Sequence, residues 1–208
     1  MVNKKRNIVI LFSLIMFIGV SKPMYGTTPT EILTAVENKF KSAGGVECHF
    51  TVTAGGKKMN GEYRASGNKF SVLSPQGSTW YNGTAMYTYN PSTAETTISS
   101  PTASELAENN PLYYLTSASR AFTPVLAGTQ PKGGYSLDLT PRTRKATVKK
   151  VNITVTSGYV PQQVIITGSN GTVTTVDIRN ISYNARHASS AFEYPKTRYS
   201  KAQIVDLR

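Results

Sequence analysis

Along residues 30–42, TEILTAVENKFKS, the apolar residues Ile32, Leu33, Val36 and Phe40 fall on one stripe at helical spacing. This predicts an amphipathic helix capped by Thr30 and stopped at Gly44-Gly45. The period then changes to two. Val46, Cys48, Phe50 and Val52 alternate with Glu47, His49, Thr51 and Thr53, the pattern of a half-buried strand. Gly55-Gly56 turns the chain into a second strand with Met59, Gly61, Tyr63 and Ala65 on one face. Gly67-Asn68 turns it again into KFSVL, a third strand.

Residues 78–91, STWYNGTAMYTYNP, predict a hairpin, with Asn82-Gly83 as a two-residue type I′ turn. That register pairs Tyr81 with Thr84, Trp80 with Ala85, Thr79 with Met86 and Ser78 with Tyr87. Trp80, Ala85, Tyr87 and Tyr89 then share one face, and Thr79, Tyr81, Thr84, Met86 and Thr88 the other. The aromatic face needs an apolar cover, either a core or a ligand. A strand over ETTISS follows.

Residues 101–128 break the alternation. Ser104–Glu108 reads as a helical turn or two, and Asn110 before Pro111 as a cap followed by proline. Leu112 and Leu115 point one way, and Phe122 and Leu126 form an i,i+4 pair. This is a short-helix insertion rich in apolar groups. Strands resume at YSLDL, VNITV, YVPQQVIIT and TVTTVDIRNISYN, where Val173 and Val176 are out of step and predict a bulge near Thr174-Thr175. The fold class is mainly β with α (α+β). One antiparallel sheet of about nine to eleven short strands carries helices at the start and in the middle. Hairpin turns at nearly every junction argue against parallel crossovers.

The chain begins MVNKKRNIVILFSLIMFIGVSKPMYG. Lys4, Lys5 and Arg6 precede an apolar run from Ile8 to Val20 that is too short to span a bilayer, which predicts a secretory signal peptide over 1–26. Gly19-Val20-Ser21 and Met24-Tyr25-Gly26 are alternative cleavage sites. Residues 27–208 are then a single domain, destined for the periplasm. The full chain has a formal charge of +12, and loss of Lys4, Lys5, Arg6 and Lys22 leaves +8. Export argues against nucleic acid as a partner and leaves anionic membrane surfaces or acidic proteins. Cys48 is the one cysteine, so an internal disulfide is excluded and a buried thiol is expected.

Reactive constellations are sparse. The two histidines, His49 and His187, and the three aspartates, Asp138, Asp177 and Asp206, are scattered, and no HExxH, CxxC, GxSxG or P-loop motif occurs. The expectation is a protein that is not an enzyme, with no metal and no cofactor. The basic run Arg142, Arg144, Lys145, Lys149 and Lys150 is either a solvated sheet edge, where lysine blocks edge pairing, or a docking patch.

The order of local patterns resembles the LolA family of periplasmic carriers of outer-membrane lipoproteins. NGTAMYTYNP at 82–91 is similar to the family's turn, aromatic strand and terminal Tyr-Asn-Pro. Gly61 before a Gly-Asn turn and KF, the YSLDLTP strand, YVPQQVIIT with VDIRNISYN, and the AFEYP and IVDLR endings fall in the family's order across 30–208. The resemblance implies a half-barrel closed by lid helices, monomeric and without catalysis. It would accept acylated lipoproteins from an inner-membrane ABC-type release complex. It would deliver them to an outer-membrane acceptor or the outer membrane itself. A single fourteen-carbon chain binds membrane with a constant of only about 10⁴ M⁻¹, whereas two or three chains hold firmly, so a carrier must hide them. Each buried methylene contributes roughly 0.8 kcal/mol.

Under that resemblance the acyl-chain lining candidates are Phe50, Val52, Tyr63, Phe70, Trp80, Tyr87, Tyr89, Leu137, Ile153 and Ile166, conditional on which face curls inward. Tyr87 falls at an inward tryptophan position of the family. Lid candidates are Leu106, Leu112, Leu115, Phe122 and Leu126. The family's lid-closing arginine follows its second strand, where this chain has Ser66 or Gly67, which leaves Lys69 or Arg64 as substitutes. Three other classes stay open: a periplasmic lipid or glycolipid binder or envelope-stress sensor of the same fold, a protein-interaction module, and an enzyme.

Overall fold

The computed structural model describes residues 26–143 and 146–208. The predicted leader, apart from Gly26, and Arg144 and Lys145 of the basic run lie outside the described residues. Helix α1, Pro29–Lys41, starts one residue after Thr28, whose hydroxyl accepts the Glu31 N–H at 3.2 Å while the Glu31 carboxylate accepts the Thr28 N–H at 2.7 Å. Thr28, not Thr30, is therefore the cap. Ile32, Leu33 and Val36 are completely buried on its inner stripe, where each aliphatic side chain stabilises by about 1.5–3 kcal/mol.

Twelve strands follow: β1 Val46–Ala54, β2 Lys57–Ser66, β3 Lys69–Ser74, β4 Gly77–Tyr81, β5 Met86–Asn90, β6 Glu95–Ser99, β7 Phe122–Gln130, β8 Gly134–Pro141, β9 Val148–Val155, β10 Pro161–Gly168, β11 Val173–Ser182 and β12 Gln203–Asp206. Between β6 and β7 lie α2, Ala103–Asn109, a 3₁₀ turn over Tyr113–Leu115, and α3, Ala118–Ala121. The strands form one open sheet in the order β12-β6-β5-β4-β3-β2-β1-β11-β10-β9-β8-β7. Among the described residues every pairing of these strands is antiparallel except β12 with β6, which is parallel.

Register propagates one apolar face through the sheet. Phe50 pairs with Gly61 and Ile178, and Cys48 pairs with Tyr63. Val164 pairs with Val176 and Ile153, and Ile153 with Leu137. These residues pack with α1, Leu112 and Leu115 into one core.

Three further expectations are corrected. Phe122 and Leu126 belong to strand β7, not to a helix. A spacing of four puts two residues on the same side of either element, and Pro124 is accommodated because β7 is a sheet edge. This strand, with the parallel β12, raises the count from the expected nine to eleven to twelve. No register shift occurs at Thr174-Thr175; Val173 simply faces outward and is exposed. The irregularity of β11 comes later, between its pairings with Glu47 and His49, where Asn180 has φ +53°.

Candidate functional site

The sheet bends enough for distant strands to meet around one cavity. Gly77 and Thr79 of β4 and Val148 of β9 border the same space, with five strands between them in the sheet. On a flat sheet six steps of ~4.8 Å would hold them roughly 29 Å apart. The cavity measures about 460 Å³. Phe50 and Val52 of β1, Met59 of β2, Val72 of β3, Ile166 of β10 and Val176 of β11 form its floor and walls. Ala107, Glu108 and Asn109 of α2 form its roof. Gly61 shapes the floor, because a Cβ there would collide with Phe50 Cζ; its absence lets the Phe50 ring lie across β2.

A second chamber of about 230 Å³ opens at the β2–β3 turn, bordered by Phe40, Lys41, Tyr63, Ser66, Lys69, Phe70 and Thr116. Asn110 borders both chambers. It caps the C-terminus of α2, its Oδ1 accepts the Leu112 N–H at 2.9 Å, and its Nδ2 donates to the Tyr63 hydroxyl at 3.4 Å. This buried pair is the seam between the chambers. Burial raises the Tyr63 phenol further above its ordinary value, so it stays protonated.

The roof and its root differ in packing. No residue of α2 is buried, and Leu106 is only half-buried against the core. Its N-terminus is self-contained, with a Thr102–Glu105 capping box. Leu112, Leu115 and Ala118 beyond it are completely buried. Glu37 of α1 fastens this root by accepting the Ser119 N–H at 2.7 Å and hydroxyl at 2.8 Å, with Lys41 Nζ at 3.0 Å. Burial alone would raise the Glu37 carboxyl, but these bonds together outweigh it and hold the group below its ordinary value. Burial pushes the Cys48 thiol up to about 12, which leaves it non-nucleophilic at neutral pH.

Of the ten residues expected to line a hydrocarbon site, seven lie on the helix-covered face: Phe50, Val52, Tyr63, Phe70, Leu137, Ile153 and Ile166. Leu137 and Ile153 are fully buried in the core under α1 and do not border either chamber. Trp80, Tyr87 and Tyr89 lie on the opposite, convex face. Trp80 pairs with Ser71, which pairs with Arg64, one position out of phase with Tyr63. The hairpin register is Tyr81 with Met86, Trp80 with Tyr87, Thr79 with Thr88 and Ser78 with Tyr89. Its loop is four residues long, with Asn82 Oδ1 accepting the N–H groups of Thr84 and Ala85. This slip of two keeps each face intact.

The convex aromatic face is covered by the chain's own C-terminal segment. Trp80 meets Tyr194 and Tyr199 edge-on at 5.6 and 5.7 Å, Tyr87 stacks on Tyr194, and Tyr89 lies 4.2 Å from Tyr199. The Thr96 hydroxyl donates to Tyr194 Oη at 2.9 Å. Sequence reasoning reads Tyr194 only within AFEYP, as a family-like ending, and gives neither it nor Tyr199 a role as a cover, although Phe192, Tyr194 and Tyr199 stand out in an otherwise polar stretch.

Among the expected lid residues, Leu106 is on the roof helix, Leu112 and Leu115 are in the fixed root, and Phe122 and Leu126 are on edge strand β7. Arg64 lies on the convex side, where it pairs with Glu62 at 2.8 Å. Ser66 donates to the Gly44 carbonyl, and Lys69 borders the second chamber. In the basic run, Lys150 pairs with Asp138 at 3.3 Å, and Arg142 and Lys149 border an open surface hollow.

The described fold is similar to an uncharacterized conserved protein from Thermus thermophilus, with TM-score 0.57 and 14% identity over 85% of this chain and 97% of that one. It is also similar to a DUF1329 family protein from Desulfovibrio piger, with TM-score 0.50 and 11% identity over 84% and 98% of the two chains. A LolA superfamily protein from Nitrosomonas europaea matches with TM-score 0.45 and 13% identity over 81% and 99%. No curated protein sequence matches the chain. The family described as outer membrane lipoprotein carrier protein LolA matches residues 70–195, from β3 to just past Tyr194. Since that match takes in more than half of the sequence, this chain belongs to the LolA family.

Proposed function

We propose that this protein is a periplasmic chaperone that shelters acyl chains of lipoproteins beneath α2 and carries them from the inner to the outer membrane. One observation carries the proposal: an apolar cavity of about 460 Å³ lies under a helix that buries none of its own residues. Hydrocarbon needs only non-directional burial, which suits cargo of many sequences. A weakly packed roof opens at small cost. The lining at Phe50, Val52 and Ile166 is offered to the chains, with Tyr63 and Phe70 at the second chamber. Release is non-covalent and needs no cofactor. The proposed donor is an inner-membrane ABC-type release complex. The proposed acceptor is an outer-membrane protein or the membrane itself. Arg142, Lys149 and Lys150 are the described part of a proposed basic docking patch. Residues 1–26 are proposed to serve as the export signal and 27–208 to act as one monomeric domain.

The test is a titration of a diacylated lipopeptide and its non-acylated counterpart against the purified protein. Binding of the acylated form alone is expected, and it should weaken at least tenfold in the Val72→Phe/Ile166→Phe double variant, whose added rings enter the cavity. Equal binding of both peptides, or none of either, refutes the proposal. A second reading, a carrier of single lipids or glycolipids, is favoured by volume. The cavity, about 460 Å³, is of the size that holds one small ligand, within roughly 300–1,000 Å³. Depletion in cells separates the two: lipoproteins retained at the inner membrane mark the lipoprotein carrier.

A further inference from the structure

The large cavity reaches one end of the sheet, and that end is basic. Gln76 of the β3–β4 turn and Val148, the first residue of β9, both border the cavity. Val148 also borders the open hollow of about 470 Å³ that Arg142 and Lys149 help to line, and the described lining of that hollow holds no carboxylate. The register explains the join. Val148 pairs with Gly168 and Lys150 with Thr167, so Lys149 is the extra residue of a bulge. The Arg142 N–H donates to the Ala121 carbonyl at 2.9 Å, which fixes the chain just past β8. On the far side of the same end Lys57 pairs with Ala54, in phase with the cavity residue Met59. From β2 to β8 the sheet takes five strand steps, an arc of roughly 24 Å at ~4.8 Å each.

Lys57, Arg142 and Lys149 are exposed and make no ion pair among the described residues. The turns along the arc, Gly55-Gly56 and Ser169-Asn170-Gly171, are small and uncharged, and the nearby Asp138 is taken up by Lys150 at 3.3 Å. Val173, just past the second turn, is apolar and 52% exposed. Unpaired cations around an exposed aliphatic group, beside an apolar cavity, match a surface of anionic head groups with hydrocarbon beneath. We propose that this end of the sheet docks directly on an anionic phospholipid bilayer, with Lys57, Arg142 and Lys149 over the head groups and the cavity's Val148 side toward the membrane. The inference names the partner of the basic patch and rests on the reading that the cavity takes hydrocarbon: a tail then passes between bilayer and cavity without crossing open water.

The experiment is co-sedimentation of the purified protein with vesicles of phosphatidylcholine alone and of phosphatidylcholine with phosphatidylglycerol. Each cation near an anionic surface contributes about fivefold to partitioning. The wild type is expected to favour the anionic vesicles at least tenfold, and the preference should vanish in about 1 M salt, where charges are screened beyond ~3 Å. Lys57→Gln/Arg142→Gln/Lys149→Gln should lose at least tenfold. Lys69→Gln/Lys132→Gln/Arg186→Gln removes the same charge from the opposite end of the sheet and should lose less than threefold. Circular dichroism spectra of both variants should match the wild type. Equal losses in the two variants reduce the effect to net charge and overturn the docking surface. Equal partitioning of the wild type to both vesicle types, or none to either, overturns the bilayer as partner and leaves the arc to an acidic protein. Titration of the diacylated lipopeptide without vesicles reads the cavity separately. The first triple variant should bind it as the wild type does, so loss of docking with intact lipopeptide binding supports the proposal, and loss of both overturns it.

Discussion

Leu112→Ala and Leu106→Ala separate a fixed root from a movable roof. Leu112 is completely buried beside the 3₁₀ turn, whereas Leu106 is half-buried on a helix that buries nothing fully. Truncating a leucine removes three carbons, worth about 2.4 kcal/mol at ~0.8 kcal/mol each. The residual void adds to this, and fully buried Leu→Ala changes in well-packed cores reach about 3–5 kcal/mol. Leu112 is packed against α1 and the sheet, which cannot collapse onto the gap, so the upper part of that range applies. At Leu106 the roof helix can settle or swing, and the expected loss stays below about 1 kcal/mol. The assay is urea unfolding followed by far-ultraviolet circular dichroism, with thermal unfolding as a check. In a domain of this length each kcal/mol moves Tm by about 2–4 °C, so Leu112→Ala should fall by roughly 10 °C or more. A Leu112→Ala cost under 1 kcal/mol, or a Leu106→Ala cost equal to it, refutes the division into roof and root.

Glu37 makes the root acid-sensitive. Its folded carboxyl sits below the ordinary value of 4.5, so its stabilisation is full above that value and is lost as pH falls through the folded one. Glu37→Gln should cost about 1.5–3 kcal/mol at pH 7, the range for hydrogen bonds to charged groups. The gap from wild type should close toward pH 3 in urea titrations; a pH-independent gap contradicts this. Tyr63→Phe removes the acceptor of the Asn110 amide and should cost about 0.5–1.5 kcal/mol. Faster amide exchange should be confined to α2 and Asn110; unchanged exchange there removes Tyr63 from the seam. Trp80 is the chain's one tryptophan and lies under Tyr194 and Tyr199. Tyr199→Ala should shift its emission to the red, while a saturating palmitoyl ligand should leave it unchanged; a ligand-induced shift contradicts its convex placement.

Much of the fold was legible from alternation alone. Val46, Cys48, Phe50 and Val52 announce β1, and Ile32, Leu33, Val36 and Phe40 announce α1, because each pattern fits one period only. The sign of a face was not legible in the hairpin. Tyr81 and Met86 on one side and Trp80, Tyr87 and Tyr89 on the other are both apolar, so periodicity cannot say which curls inward. What decides it is Tyr194 and Tyr199, more than a hundred residues away, which supply a cover on the convex side. Phe122 and Leu126 misled because a four-residue spacing serves helix and strand alike. Asn110 read as a local cap, and its contact with Tyr63 is a tertiary event that no local pattern records.

The most direct test of a hydrocarbon site beneath α2 is nuclear magnetic resonance of the isotope-labelled protein with a fatty acid bearing a nitroxide at its methyl end. Resonances of Val52, Ile166 and Val176 should broaden first, and those of Ile98 and Tyr194 on the convex side should stay sharp. Broadening centred on Tyr194, or uniform broadening of both faces, would contradict that placement.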